Sequence, residues 1–297
     1  MLSELERPGR LRWRTRVMAR TLLGTPLWAS YLARQQAATT DCEPVRRLAG
    51  TEWYLSPYNL YLKALEIELF RRFQVVRPAL EIGGGGGETS QHAFAGRLID
   101  VDCEYYVPNL GLNLRRGILY AVTRAHVGGS PYAMPFRSGA FNTVVSIHVF
   151  DHLTAVNTAL AEIARVLRPG GLLAFTTYAG HLFDGLPVRT LYRRPFWSGY
   201  GSLRHDDPDD ARGQNMCSLS EWRAYGQLAG LNLIEVRSFT RRDRFLTAMR
   251  LEMAGDPRLF RAWYQRVVSQ WINEDLTRPP PYADAGNVLL VWQRTAR

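Results

Sequence analysis

Five glycines in succession, residues 83–87, follow the short apolar run Ala79–Ile82 and precede a segment that opens with Glu88. Backbone without side chains can turn where a Cβ would clash, and it lets a ligand approach closely. A strand feeding such a loop, with a helix leaving it, begins a βα unit and commits the chain to an α/β fold. The loop's chemistry then narrows its ligand. A phosphate-binding P-loop requires a lysine and then serine or threonine after its last glycine. Here Gly87 is followed by Glu88, and no lysine is near. The carboxylate would repel a phosphate. A dinucleotide loop, G-x-G-x-x-G, is met by Gly83 and Gly85 but fails at its third place, which is Glu88.

The alternation continues along the chain. Residues 96–102, 126–130, 141–150, 172–178, 231–239 and 286–296 read as further strands. Between them, Leu160, Ile163, Val166 and Leu167 share one face of a helix that "RPGG" stops. Ser218 and Glu221 form a capping box that opens another helix. Strands spaced by helices imply right-handed crossovers and a seven-stranded, mostly parallel sheet with helices on both faces. Residues 1–76 read as a helical arm, in which Leu60, Leu65, Ile67 and Phe70 gather with polar positions between them. The main domain, residues 77–297, is interrupted at about 181–216 and 240–285 by segments expected to cap the sheet.

Composition excludes several classes. Lysine and arginine total 37 against 27 acids, a net charge of +10, and every one but Lys63 is arginine. That bias is expected of a GC-rich genome, so it argues only weakly for a nucleic-acid partner. The densest basic stretch, from Arg7 to Arg20, would suit docking to an anionic membrane surface. No apolar run approaches the roughly 18 residues that span a bilayer, and the acidic, apolar-poor start is not a secretory signal. Cys42, Cys103 and Cys217 are too few and too scattered for a disulfide framework or a metal site, which fits a reducing cytoplasm.

The remaining loop pattern is acid-x-G-x-G-x-G: Glu81, Gly83, Gly85 and Gly87, with Gly84 between the first two glycines. It resembles motif I of the class I S-adenosylmethionine-dependent methyltransferases. Residues 128–178 add "MPF", "FNTVVS", "DHL" and "EIARVLRPGG", which resemble the central block of that family in the same order. The resemblance spans about residues 79–239 and implies a Rossmann-like fold. It also implies S-adenosylmethionine as cofactor and S-adenosylhomocysteine as product. A carboxylate near the loop suits a ligand bearing a sulfonium and an amino group. Asp102, or alternatively Asp100, would accept the ribose hydroxyls at the end of the second strand. Ser130 stands where the family usually has an aspartate, with Pro131 and Tyr132 beside it, and Tyr132 could pack on adenine. Ser146 ends the fourth strand, followed by Ile147 in place of a frequent asparagine.

In an open α/β sheet the ligands lie beyond the carboxyl ends of the strands. His148 and His152 are therefore the candidate bases for removing a proton from an oxygen acceptor. Tyr54, Tyr58, Tyr178 and His181 are the candidate acceptor contacts. The expected activity is methyl transfer to a small molecule, most simply to oxygen, as in natural-product, sugar or lipid-precursor enzymes. Two alternatives stand beside it: a non-methylating binder of the same cofactor, such as a cyclase, and a membrane-associated quinone or lipid methyltransferase. The residues do not identify an oligomeric state.

Overall fold

The structure is a computed structural model describing residues 42–49, 51–84, 88–94, 101–104, 126–182, 184, 215–254 and 261–296. The basic stretch from Arg7 to Arg20, Gly85, Gly87, Asp100 and most of residues 181–216 lie outside the described residues. A short helix α1 (Glu43–Arg47) and a 3-10 turn (Glu52–Leu55) lead into α2 (Pro57–Arg71). Next come β1 (Ala79–Ile82), α3 (Glu88–Ala93), β2 (Val101–Glu104), β3 (His126–Gly128) and β4 (Phe141–Ile147). They are followed by α4 (Val156–Val166), β5 (Leu167–Tyr178), α5 (Leu219–Leu228) and β6 (Leu231–Arg241). The last elements are α6 (Arg242–Ala254), α7 (Arg261–Thr277) and β7 (Ala285–Arg294).

The seven strands form one sheet in the order β3-β2-β1-β4-β5-β7-β6. Strands β1 to β5 pair in parallel, while β7 runs antiparallel to both of its neighbours. This is the mostly parallel α/β sheet implied by the alternation of strands and helices. Side chains alternate between its faces. Val145, Ala174, Leu289 and Val291 lie in one core with Tyr61 and Leu65 of α2, Phe245 of α6 and Val268 of α7. Val144, Leu173, Phe175 and Trp292 lie in the other, with Leu160 and Ile163 of α4 and Trp222 of α5.

Three local outcomes differ from the sequence expectation. The strand expected over residues 141–150 stops at Ile147, because His148 takes a positive φ of 50° and breaks the extended run. The "RPGG" segment does not separate helix from strand. It is drawn into the start of β5 as an irregularity: Phe141 pairs with Leu167, and Thr143 with Leu172. Gly170, at a φ of 76°, permits that turn. Helix α2 shows more than one apolar face, since Tyr61 and Glu66 are buried along with Leu60, Leu65 and Phe70. It is held between the sheet and helices α6 and α7, so polar positions expected at the surface are inside. The helix starts where the Ser56 side chain accepts the Asn59 N–H at 3.0 Å, with Pro57 in its first turn.

Candidate functional site

The carboxyl ends of β1 and β4 meet at the glycine loop. Glu81 is buried and stands in register with Asp102 of β2 on one side and Val145 of β4 on the other. Gly83 turns with a φ of 74°. A Cβ at that position would overlap Val149 Cγ2 and lie 3.1 Å from Val149 Cγ1, so the turn needs glycine both for its torsion and for the space. Gly84 continues the loop toward α3. Ser146 is buried and donates its hydroxyl to the Ile82 carbonyl at 3.1 Å, which ties the end of β4 to the end of β1. Two acids in register beside a loop without side chains suit a ligand with a cationic sulfonium and amino group and a ribose.

Ser130, Pro131 and Tyr132 follow β3. Ser130 makes an isolated bridge to Ala133, and its hydroxyl accepts the Tyr132 N–H at 3.2 Å. Pro131 is buried. The Tyr132 hydroxyl lies 3.1 Å from Thr154 Oγ1 and accepts the Thr154 N–H at 2.9 Å. The hydroxyl is thus committed to the segment leading into α4, and the partly buried ring packs against the core that contains Met134 and Phe141.

His148 follows β4 at the carboxyl edge of the sheet. Its backbone N–H reaches the Thr176 carbonyl and hydroxyl, each at 3.3 Å, so β5 fixes where the side chain begins. The side chain is 11% exposed, with Nε2 3.3 Å from Oε1 of Glu66. Glu66 is fully buried in α2. It accepts Lys63 Nζ at 2.7 Å on one oxygen and the Thr176 hydroxyl at 2.6 Å on the other. Burial alone would push its carboxyl up; Lys63, His148 and the two hydrogen bonds outweigh that and hold it below the ordinary value. Glu66 is therefore a carboxylate at neutral pH. The His148 ring tilts against Tyr178 with centroids 5.1 Å apart.

Tyr178 and Tyr58 meet hydroxyl to hydroxyl at 3.3 Å. Both rings contact Phe245 of α6 edgewise, at 5.2 Å for Tyr58 and 6.0 Å for Tyr178. His148, Tyr178, Tyr58 and Phe245 thus form one aromatic cluster at the sheet's carboxyl edge. Tyr54 is placed elsewhere, buried in the helical core, where its carbonyl accepts Gln265 Nε2 at 3.2 Å. His181 packs its ring edge on Tyr282 at 5.2 Å. His152 closes the 3-10 turn Phe150–His152; its side chain and that of Asp102 are outside the described atoms. Among the described residues, no group of three or more His, Cys, Asp or Glu side chains gathers as a metal site. Nor is any described helix long and apolar enough to cross a membrane.

The sequence reading missed Glu66, Lys63 and Thr176. One signal for the first two was present: the chain's single lysine lies three residues before a glutamate flanked by Leu65 and Ile67. An acid within an apolar run, with a cation one helical turn away, is a buried-pair signature.

The comparisons with known proteins agree with this geometry. Residues 80–175 match the family model described as a methyltransferase domain. A curated relative, the malonyl-[acyl-carrier protein] O-methyltransferase of Geobacter sulfurreducens, is 28% identical over 171 residues, or 54% of this chain and 58% of that protein. The chain thus spans less than two thirds of the length of the curated relative it matches. Among solved structures, the [4+2]-cyclase SpnF is 17% identical with a TM-score of 0.51, covering 79% of this chain and 82% of that one. A complex of a methyltransferase with the Haloferax volcanii Trm112 activator gives 15% identity and a TM-score of 0.50, covering 87% of this chain and 100% of that one. These two likenesses are of fold. With the glycine loop, the strand order and the sequence match taken together, residues 80–175 form a methyltransferase domain of the class I S-adenosylmethionine-dependent kind.

Proposed function

We propose that the enzyme methylates an oxygen of a small molecule, with His148 as the base. The observation that carries this reading is the His148–Glu66 contact at the carboxyl end of β4, where class I enzymes present the methyl group. The bound cofactor supplies an activated methyl. The protein must then place the acceptor in line and remove its proton. An amine acceptor can arrive already neutral, whereas a hydroxyl or carboxyl acceptor benefits from a buried imidazole backed by a carboxylate. The relative's O-methyltransferase activity supports the same choice of atom. The aromatic cluster of Tyr58, Tyr178 and Phe245 suits an acceptor with an apolar or planar body. Glu81, Gly83, Gly84, Asp102 and Ser146, with Tyr132 at the adenine end, form the proposed cofactor side. The insertion that contains α6 and α7, with α2 of the N-terminal arm, closes the acceptor side.

The test is release of S-adenosylhomocysteine from the full chain with S-adenosylmethionine and a panel of phenols, sugar hydroxyls, carboxyl thioesters and primary amines. Turnover with an oxygen acceptor, reduced at least about a hundredfold in His148→Gln, is the expected result. Turnover confined to amines would overturn the oxygen assignment. Cofactor binding with no S-adenosylhomocysteine formed from any member would point instead to a non-methylating role.

A further inference from the structure

Resting on the reading of His148 as base, we infer that Glu66 is its positioning residue. From α2, outside the residues that match the methyltransferase model, its carboxylate lies 3.3 Å from Nε2 and orients the imidazole that takes the acceptor's proton. The acceptor oxygen would give that proton to the imidazole and its electron pair to the methyl carbon as the carbon–sulfur bond breaks. The imidazolium that results faces a carboxylate 3.3 Å away. The geometry around Glu66 is built for this. One oxygen is held by Lys63 Nζ at 2.7 Å, while the other receives the Thr176 hydroxyl at 2.6 Å and is the atom nearest His148. The carboxylate is thus fixed from its own helix and from β5, and its side chain has no exposed surface. A buried anion with a fixed direction stabilises a cation that appears beside it more than solvent does, because no dipoles have to reorganise. His148 is held from behind as well, since its positive φ of 50° and its backbone bonds to Thr176 fix the Cβ direction.

Lys63 sets the strength of the effect. Its ammonium opposes a positive charge on His148, so the two neighbours of the imidazole act with opposite sign. The other titratable groups facing the pair are Tyr58 on α2 and Tyr178 on β5, with Glu252 of α6 beyond Tyr58, 3.3 Å from its backbone nitrogen.

The test reads His148 directly and needs no acceptor. The full chain is labelled with 13C at histidine Cε1 and titrated by NMR, free and saturated with S-adenosylhomocysteine. The His148 signal is assigned by its loss in His148→Gln. In Glu66→Gln the imidazole should lose at least about tenfold in proton affinity, while in Lys63→Met it should gain. The remaining histidines should keep their titrations in both variants. Opposite shifts are the signature of a charge acting through space, since a purely structural role would move both variants in the same direction or neither. An unchanged His148 titration in folded Glu66→Gln would overturn the inference. If that variant does not fold, Lys63→Met decides, and no gain there would overturn it equally. The reading of His148 as base fails separately, if His148→Gln retains full methyl transfer.

Discussion

At the residue scale, the glycine loop is fixed by one contact. Gly83 lies where a Cβ would overlap Val149, a side chain too short and too branched to swing aside. Gly83→Ala should therefore cost about 1–3 kcal/mol from torsion and overpacking. It should also weaken S-adenosylmethionine binding by at least about tenfold, because the loop can no longer follow its path. Calorimetric titration and urea unfolding measure the two effects. Adding Val149→Ala should recover part of the stability, and a double variant no better than the single one would show that the clash is not with Val149. Thr176 makes a second case. Its hydroxyl is buried and donates to the Glu66 carboxylate. Thr176→Val keeps the shape and removes that donor, so thermal and urea unfolding should show a loss of about 1–3 kcal/mol. A neutral result would mean that Glu66 is held well enough by Lys63 alone.

At the scale of elements, helix α5 shows both what sequence reading reaches and where it stops. Its capping box forms as expected: the Ser218 hydroxyl accepts the Glu221 N–H at 3.3 Å, and Glu221 returns to the Ser218 N–H at 2.7 Å. Ser218→Ala should cost about 1 kcal/mol in unfolding free energy. The glycine within the same helix is another matter. Gly226 looks like a flaw in a helix, where alanine would be the better former. In the fold, a Cβ there would run into the indole of Trp292 on β7. Gly226→Ala should therefore destabilise by about 1–3 kcal/mol, against the helix propensity scale, and a stabilised variant would show that the helix can lift off the sheet. The capping box was legible because its partners are three residues apart, whereas the Trp292 contact joins residues far apart in the chain. The same division runs through the rest. Strands β1, β4, β5, β6 and β7 were legible from local apolar runs, and the turn after β1 from its glycines. The early end of β4 depends on His148 bonding to β5. The approach of Glu66 to His148 depends on α2 lying across the sheet, which no local pattern states.

At the scale of the molecule, two cores share the sheet, and Glu66, Glu252 and Asp275 are buried on the side that carries α2. Tyr61 of α2 donates to Asp275 of α7, whose other oxygen meets Arg244 at 2.8 Å and Arg241 at 3.2 Å. The helix that supplies Glu66 is thereby fastened to α6 and α7. These groups set the response to acid. The Glu66 carboxyl is held below its ordinary value of 4.5, so it adds stability above that pH and loses it as pH falls through its folded value. Glu162 has the same sign, chiefly through its hydrogen bond with Arg165. Asp275 runs the other way, since burial raises its carboxyl. Stability in urea should thus hold from about pH 7 to pH 5 and decline below, with a shallower decline in Glu66→Gln; parallel declines would show that Glu66 is not part of the acid response. The place of β7 also has a consequence for synthesis. Among the described strands, β6 is hydrogen-bonded only to β7, and β7, made after it, slots between β6 and β5. While residues 285–294 are still being added, β5 and β6 each present an open edge, and a chain interrupted there leaves β6 with no partner among the described strands. The step most exposed to misassembly is therefore the insertion of β7, so a chaperone that guards nascent chains would find its client waiting at this strand pair.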